Sequence, residues 1–320
     1  MSNPHNKTEH SDIWSNPISS QAPQKTSHNK DFFQSDNFHL LLFLLTALST
    51  YWVQGWWYAI TIMGILGAHE MGHYVMSQKY GVVTTLPYFI PFPVSIFGTM
   101  GAVIKMKSPI PHRQALFDIG IAGPLAGLAL AIPTILIGLR FSVVVPVYAM
   151  KSLGVINLGD PLLFRFLQWL ALGKLPPGTD IILHPMAFAG WVGLFVTALN
   201  LLPIGQLDGG HIVYAIWGKQ SKQIYLTAMG IMGLICIFYN PGWILLLALI
   251  AMFGFKHPPP TDDYQPLDKR RKFLGWITMV IFLLSFTPVP FKLRNTRPQI
   301  KQQLRWANNS VKSGKQYCTI

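Results

Sequence analysis

The chain has 320 residues, of which 51% are hydrophobic and only 12% are charged, and its formal net charge is +13. That charged fraction is about half of what a soluble domain usually carries, and the apolar residues come in runs long enough to span a bilayer. The composition therefore excludes an ordinary soluble domain. Because Lys and Arg flank the apolar runs and form no mixed basic and aromatic face, we expect them to contact anionic lipid, and we expect no nucleic-acid partner.

The two ends of the chain are polar. Residues 1–36 are rich in Ser, Asn, Gln and His, which predicts a disordered tail. No cleavable signal is expected, because the first apolar run starts only near Phe38 and no small-residue cleavage site follows it. Residues 291–320 are predicted to form a basic C-terminal tail, and residues 37–290 a polytopic membrane domain.

Six to seven membrane-spanning helices are predicted, which gives the fold class of an all-α polytopic membrane protein. The apolar runs lie at residues 38–54, 56–80, 115–139, 187–204, 224–239, 244–255 and 273–289. The positive-inside rule puts the N-terminus and the basic loop 269–272 on the cytoplasmic side, and the loop 140–185 on the opposite side. The side of the basic tail depends on whether the last run spans completely.

The segment between the second and third runs, residues 84–111, is predicted to be a β-hairpin at membrane depth. Pro87, Pro91 and Pro93 exclude a helix there, and the segment is rich in β-branched and aromatic residues. Non-helical backbone at that depth is tolerated only when it is buried in protein or lines a wet cavity. The hairpin is therefore a candidate substrate-facing element, with an ordinary surface hairpin as the alternative.

The second run contains the sequence His69-Glu70-Met71-Gly72-His73. Residues four apart share one face of a helix, so both imidazoles can bind one Zn²⁺, with Glu70 beside the open position as general base. Ionisable side chains inside a membrane span are costly and usually functional. The motif therefore indicates catalytic metal chemistry within the bilayer.

A catalytic zinc ion needs a third protein ligand, and few candidates lie at membrane depth. Asp208 lies in the segment 200–211, where Pro and Gly residues interrupt the helix and allow a carboxylate to turn toward a metal. Asp118 lies near the start of a regular helix, where the helix dipole alone could favour it. Asp208 is the predicted ligand, and His211 is expected to support the site or the fold.

Two further features lie near the motif. Gly123 and Gly127 form a GxxxG pair, which predicts close helix packing beside the catalytic helix. Asn200 is a polar residue within the fourth run, and it could either hold a substrate backbone or bond across helices.

Taken in order, these motifs resemble the site-2 protease family of intramembrane zinc metalloproteases. The resemblance covers about residues 56–217, and it is strongest to the compact prokaryotic and plastid-type members that lack an inserted peptide-binding (PDZ) module. It is carried by HEMGH (69–73), the hairpin segment, GIAGPLAG (120–127) and NLLPIGQLDGGH (200–211).

The resemblance implies that His69, His73 and Asp208 hold one Zn²⁺, that Glu70 is catalytic and that Asn200 helps to engage an extended substrate strand. The expected function is hydrolysis of peptide bonds within or near transmembrane segments, with single-span membrane proteins in the bilayer as substrates. The expected location is a bacterial inner (plasma) membrane, with a plastid membrane as the alternative. A metal transporter and an inactive protease-like binding protein are the competing functions, and the sequence does not determine the oligomeric state.

Overall fold

The computed structural model describes residues 35–147, 157–238, 243, 244, 247 and 259–292. This part is mostly helical. Its helices are α1 (Asp36–Lys79), α2 (Arg113–Arg140), α3 (Leu162–Leu172), α4 (Pro185–Asn200), α5 (Asp208–Trp217), α6 (Ser221–Phe238) and α7 (Lys269–Ser285). Its strands are β1 (Tyr88–Pro91), β2 (Thr99–Val103), β3 (Val143–Pro146), β4 (Asn157–Leu158), β5 (Thr179–Ile182) and β6 (Phe291–Lys292).

Within the described residues, three helical stretches are long and apolar enough to cross a membrane: Asp36–Lys79, Arg113–Arg140 and Asp208–Phe238. The last of these joins α5 to α6 through a short 3-10 turn. This confirms that the described part of the chain is mostly helical and contains candidate membrane-spanning helices. The predicted total of six to seven spans stays a prediction, because the sixth predicted run lies almost wholly outside the described residues.

Helix α1 is broken at Gly55, whose φ of 80° and ψ of −175° are not helical. Phe43 and Gly64 line the same apolar cavity of about 520 Å³, whereas a straight helix would hold them roughly 30 Å apart. The chain therefore folds back at Gly55, where a residue without a Cβ adopts positive φ without strain. The break falls where the sequence predicts the first and second runs to meet.

Helix α2 is the central element, and α4 and α5 together run along its whole length in the opposite direction. The first residue of α2, Arg113, donates hydrogen bonds to the Ala215 carbonyl near the end of α5. Ser142, just after α2, accepts a hydrogen bond from the His184 backbone N–H just before α4. Residues 201–207, between α4 and α5, are not helical, so the fourth predicted run is shorter than expected and the break places Asp208 partway along α2.

The predicted hairpin is present as β1 and β2. The two strands pair antiparallel from Tyr88 opposite Val103 to Pro91 opposite Thr99, with an irregularity between Ile90 and Pro91. Its turn docks on α1: the Ser49 hydroxyl donates to the Gly98 carbonyl at 2.6 Å, and Gly98 has no room for a Cβ because one would lie 2.8 Å from Thr50 Cα. Whether the hairpin lies at membrane depth stays a prediction.

The loop 140–185 contains more structure than the sequence predicts. It includes the expected short helix, α3, but also β3 and β5, which pair antiparallel, and β4, which pairs with β6 after α7. These two-stranded pairings join segments that are distant in sequence, so local sequence does not predict which strands pair. Helix α7 begins beside Asp118, near the start of α2, and the chain after it leads to β6, which lies beside β4. Most of the two predicted tails lies outside the described residues.

Candidate metal centre

Three ligand-bearing side chains from two helices meet at one point. His69 and His73 lie one turn apart on α1, and Asp208 is the first residue of α5. Asp208 Oδ2 lies 3.2 Å from Nε2 of each histidine, and the two Nε2 atoms lie 3.3 Å apart. Within the described residues, this is the one group of metal-binding side chains whose ligand atoms converge.

The dimensions of this triangle fit a zinc ion. Zinc bonds to imidazole nitrogen and carboxylate oxygen are about 2.0–2.1 Å long, which corresponds to a tetrahedron edge of roughly 3.3 Å. The three edges of the triangle are 3.2, 3.2 and 3.3 Å. The residues present therefore match one face of a tetrahedral site and leave its fourth corner open.

The chemistry of the three atoms also indicates a cation. His73 Nδ1 lies 2.8 Å from the Ile119 carbonyl oxygen; it donates its proton there and leaves a lone pair on Nε2. Asp208 Oδ2 is buried and accepts no hydrogen bond. A buried carboxylate oxygen that faces an imidazole lone pair is unfavourable unless a positive charge lies between them.

Glu70 lies between the two histidines in sequence and is also buried, with 6% of its surface exposed. The backbone of Ile104, just after β2, lies beside its carboxylate. Glu70 does not join the converging group of ligand atoms. It is therefore available as a base beside that group, next to the end of the hairpin.

Glycines of α2 form the wall against which the imidazoles lie. A Cβ on Gly123 would lie 2.0 Å from His73 Nε2, and one on Gly127 would lie 3.2 Å from His69 Nδ1. A Cβ on a third glycine, Gly120, would lie 3.0 Å from the Cβ of His211. The sequence predicts close packing here, but only the structure shows that the histidines themselves fill the space.

The other three side chains considered in the sequence analysis differ in whether they reach the metal-binding group. The Asn200 side-chain nitrogen lies 3.0 Å from His69 Nε2, so this amide borders the site. Asp118 does not reach the site and instead pairs with Arg271 at 2.7 Å. His211 is partly buried against α2, and its side chain is not part of the ligand group.

Comparison with known proteins agrees with a metal-dependent peptidase site. Residues 57–238 match the family model described as Peptidase family M50. The chain is 29% identical over 235 residues to Probable zinc metalloprotease EGY2, chloroplastic, of Arabidopsis thaliana, covering 71% of this chain and 40% of that protein. It is 32% identical over 241 residues to Probable zinc metalloprotease EGY1, chloroplastic, of the same plant, covering 72% and 42%.

A third relative, from Oryza sativa subsp. indica, is Probable zinc metalloprotease EGY3, chloroplastic, which is 30% identical over 251 residues, covering 71% of this chain and 41% of that protein. The chain thus spans about two fifths of the length of the curated relatives that it matches. The family match covers more than half of the chain and includes both histidines, Glu70 and Asp208. The chain belongs to peptidase family M50, the site-2 protease family.

Proposed function

We propose that this chain is a zinc-dependent intramembrane endopeptidase that hydrolyses peptide bonds within or near transmembrane segments of single-span membrane proteins. The observation that carries the proposal is the converging triangle of His69, His73 and Asp208 beside a buried Glu70. The triangle lies against Gly123, which at ~1.5 Å per residue is roughly 15 Å along α2 from Arg113. We infer that Arg113 lies near the membrane surface and the site about that far below it, where it would meet substrates that lie in the bilayer.

The chemistry assigned to each residue follows from its position. A zinc ion held by His69, His73 and Asp208 would supply Lewis acidity to the scissile carbonyl and acidity to the attacking water. Glu70 accepts a proton from that water as its oxygen bonds to the carbonyl carbon. It then passes the proton to the leaving nitrogen as the C–N bond breaks, so that one water and one peptide bond give one carboxylic acid and one amine.

The edge of β2 that faces away from β1 pairs with no other strand among the described residues, and it is the proposed platform for the substrate. The Lys105 backbone directs both its N–H and its C=O toward Thr85 on the β1 side. Because successive peptide groups of a strand point to opposite edges, those of Ile104 and Ala102 point away from β1. Glu70 lies beside Ile104 on that edge. A substrate strand that pairs beside Ala102 would therefore run toward the catalytic carboxylate.

Asn200 is proposed to hold the substrate backbone close to the metal. Its amide borders His69 and lies at the end of α4, where the helix breaks before Asp208. An amide offers both a donor and an acceptor, which is what an extended peptide group requires.

An integral, multi-pass membrane location is supported by the three long apolar helices. Of the two membranes predicted, the plastid membrane receives support from the relatives whose names include chloroplastic. The transporter alternative would require a relay of metal-binding groups, whereas the described residues contain a single such cluster. The complete ligand and base set argues against an inactive binding protein.

Two measurements test the proposal. Purified protein in proteoliposomes should cut a co-reconstituted single-span membrane protein, lose that activity with a zinc chelator and regain it with added zinc. Elemental analysis should find one zinc per chain, lost in His69→Ala, much reduced in Asp208→Ala and unchanged in the control Asp180→Ala, which alters an exposed strand residue far from the site. Full zinc retention in Asp208→Ala would rule out that residue as a ligand.

A further inference from the structure

A second polar cluster lies on the side of the metal centre where α2 begins, and it joins three helices. Arg271 of α7 forms a two-point contact with Asp118 of α2, with Nε 2.8 Å from Oδ1 and Nη2 2.7 Å from Oδ2. The Tyr80 hydroxyl, at the end of α1, donates to Asp118 Oδ2 at 2.5 Å. Asp118 therefore receives three directed hydrogen bonds, and a bidentate Arg–carboxylate pair fixes orientation as well as distance.

This cluster connects directly to one of the metal-binding histidines. The residue after Asp118 is Ile119, whose carbonyl oxygen lies 2.8 Å from His73 Nδ1. His73 of α1 and Tyr80, the residue that caps its C-terminus, are seven residues apart, so both lie toward α2. Two neighbouring contacts therefore hold α1 and α2 together. His73 contacts the Ile119 carbonyl, and Tyr80 contacts the Asp118 carboxylate.

We propose that Asp118 is a positioning residue for the metal centre, acting through Ile119 on His73; this inference rests on the proposed zinc function. With Asp118 fixed by Tyr80 and Arg271, the second turn of α2 holds its Ile119 carbonyl against the imidazole. That hydrogen bond keeps the proton on Nδ1 and the lone pair on Nε2, which is the form that binds a metal. Removal of the Asp118 charge frees α2 to shift and weakens the orientation of the ring.

The same cluster could instead serve only to attach α7 to the rest of the fold, and zinc affinity separates the two roles. Asp118→Asn removes the charge, and Tyr80→Phe removes one hydrogen bond with little change of shape. Asp268→Asn is the matched control, because Asp268 is an exposed partner of the same Arg271 at 3.2 Å, whereas Asp118 is held by Arg271 Nε and Nη2 and by Tyr80. Full-length variants in detergent would be titrated with zinc against a competing chelator, and their thermal unfolding would be followed without zinc.

Replacing a group that orients a metal ligand usually costs ~10–100-fold in metal affinity. We expect Asp118→Asn to weaken zinc binding at least ~10-fold, Tyr80→Phe to weaken it less, and Asp268→Asn to leave it unchanged. The visible absorption of the cobalt(II)-substituted protein should also change in Asp118→Asn, because the geometry at the metal alters.

Wild-type zinc affinity in Asp118→Asn, with only a lower unfolding temperature, would overturn the inference and leave the proposed function intact. If Asp118→Asn does not fold, Tyr80→Phe decides: an affinity equal to that of wild type and of Asp268→Asn overturns it. A wild-type chain that binds no zinc would overturn the proposed function itself, and this inference with it.

Discussion

Replacing Gly123 with alanine should expel His73 from the metal centre. A Cβ at this position would lie 2.0 Å from Nε2, 2.4 Å from Cδ2 and 2.5 Å from Cε1 of that ring, whereas real Cβ contacts essentially never fall under 3.0 Å. The ring must therefore retreat by about 1 Å or more, since close-packed interiors offer no slack. Metal–ligand bonds tolerate shifts of only about 0.2 Å.

The helices cannot separate easily to relieve this clash. On the same interface a Cβ on Gly72 of α1 would lie 2.5 Å from the Ala122 carbonyl oxygen, so the two backbones are already in contact. We therefore expect Gly123→Ala to lose more zinc affinity than the ~10–100-fold that changes around a metal ligand usually cause. Gly127→Ala, where the contact to His69 would be 3.2 Å, should cause a smaller loss.

The assay is zinc content and competitive chelator titration of both glycine variants in detergent. Circular dichroism and size-exclusion chromatography should show that each variant is folded. The reasoning would be refuted if Gly123→Ala folded and bound zinc as tightly as wild type, or if Gly127→Ala were the more severely affected of the two.

Three further changes test other parts of the structure. Gly98→Ala places a Cβ 2.8 Å from Thr50 Cα at a φ of +71°, so cleavage of a single-span substrate should fall while zinc content stays near wild type; undiminished cleavage would show that hairpin docking is unimportant. Arg113→Gln removes the side chain that binds the last carbonyls of α5, and should lower the free energy of unfolding by about 1–3 kcal/mol in denaturant titrations; an unchanged value would contradict that role. Cysteines placed at Arg270 and Asp180 should be labelled from opposite sides of the membrane, and labelling of both from one side would contradict the orientation predicted by the positive-inside rule.

The metal site is largely predictable from the sequence, because its information is local. The HExxH spacing places two histidines on one face of a helix, and glycines and proline around residues 200–211 indicate the break that frees Asp208. The structure brings these three side chains together as predicted. Their roles as ligands, and those of Glu70 and Asn200, stay predictions until they are measured.

The tertiary detail could not be read from the sequence. The GxxxG pair predicts that Gly123 packs against a helix, but whether a backbone or an imidazole fills the space depends on how α2 is rotated against α1, which no pattern within α2 encodes. The sequence explains Asp118 only as a charge near the start of a helix. The structure shows that it pairs with Arg271, which is 153 residues away in sequence. The pairing of β4 with β6 likewise joins two short segments that are far apart in sequence, and neither segment contains a strand pattern that predicts its partner.

The most direct test of the proposed function is Glu70→Gln, which keeps the size of the side chain and removes its basicity. General acid–base catalysis typically contributes ~10²–10⁴-fold, so cleavage of a membrane-spanning substrate should fall by at least ~10²-fold. Zinc content should stay near one per chain, because Glu70 is outside the ligand group. A Glu70→Gln protein that retains zinc and cuts the substrate at close to the wild-type rate would contradict the proposed mechanism.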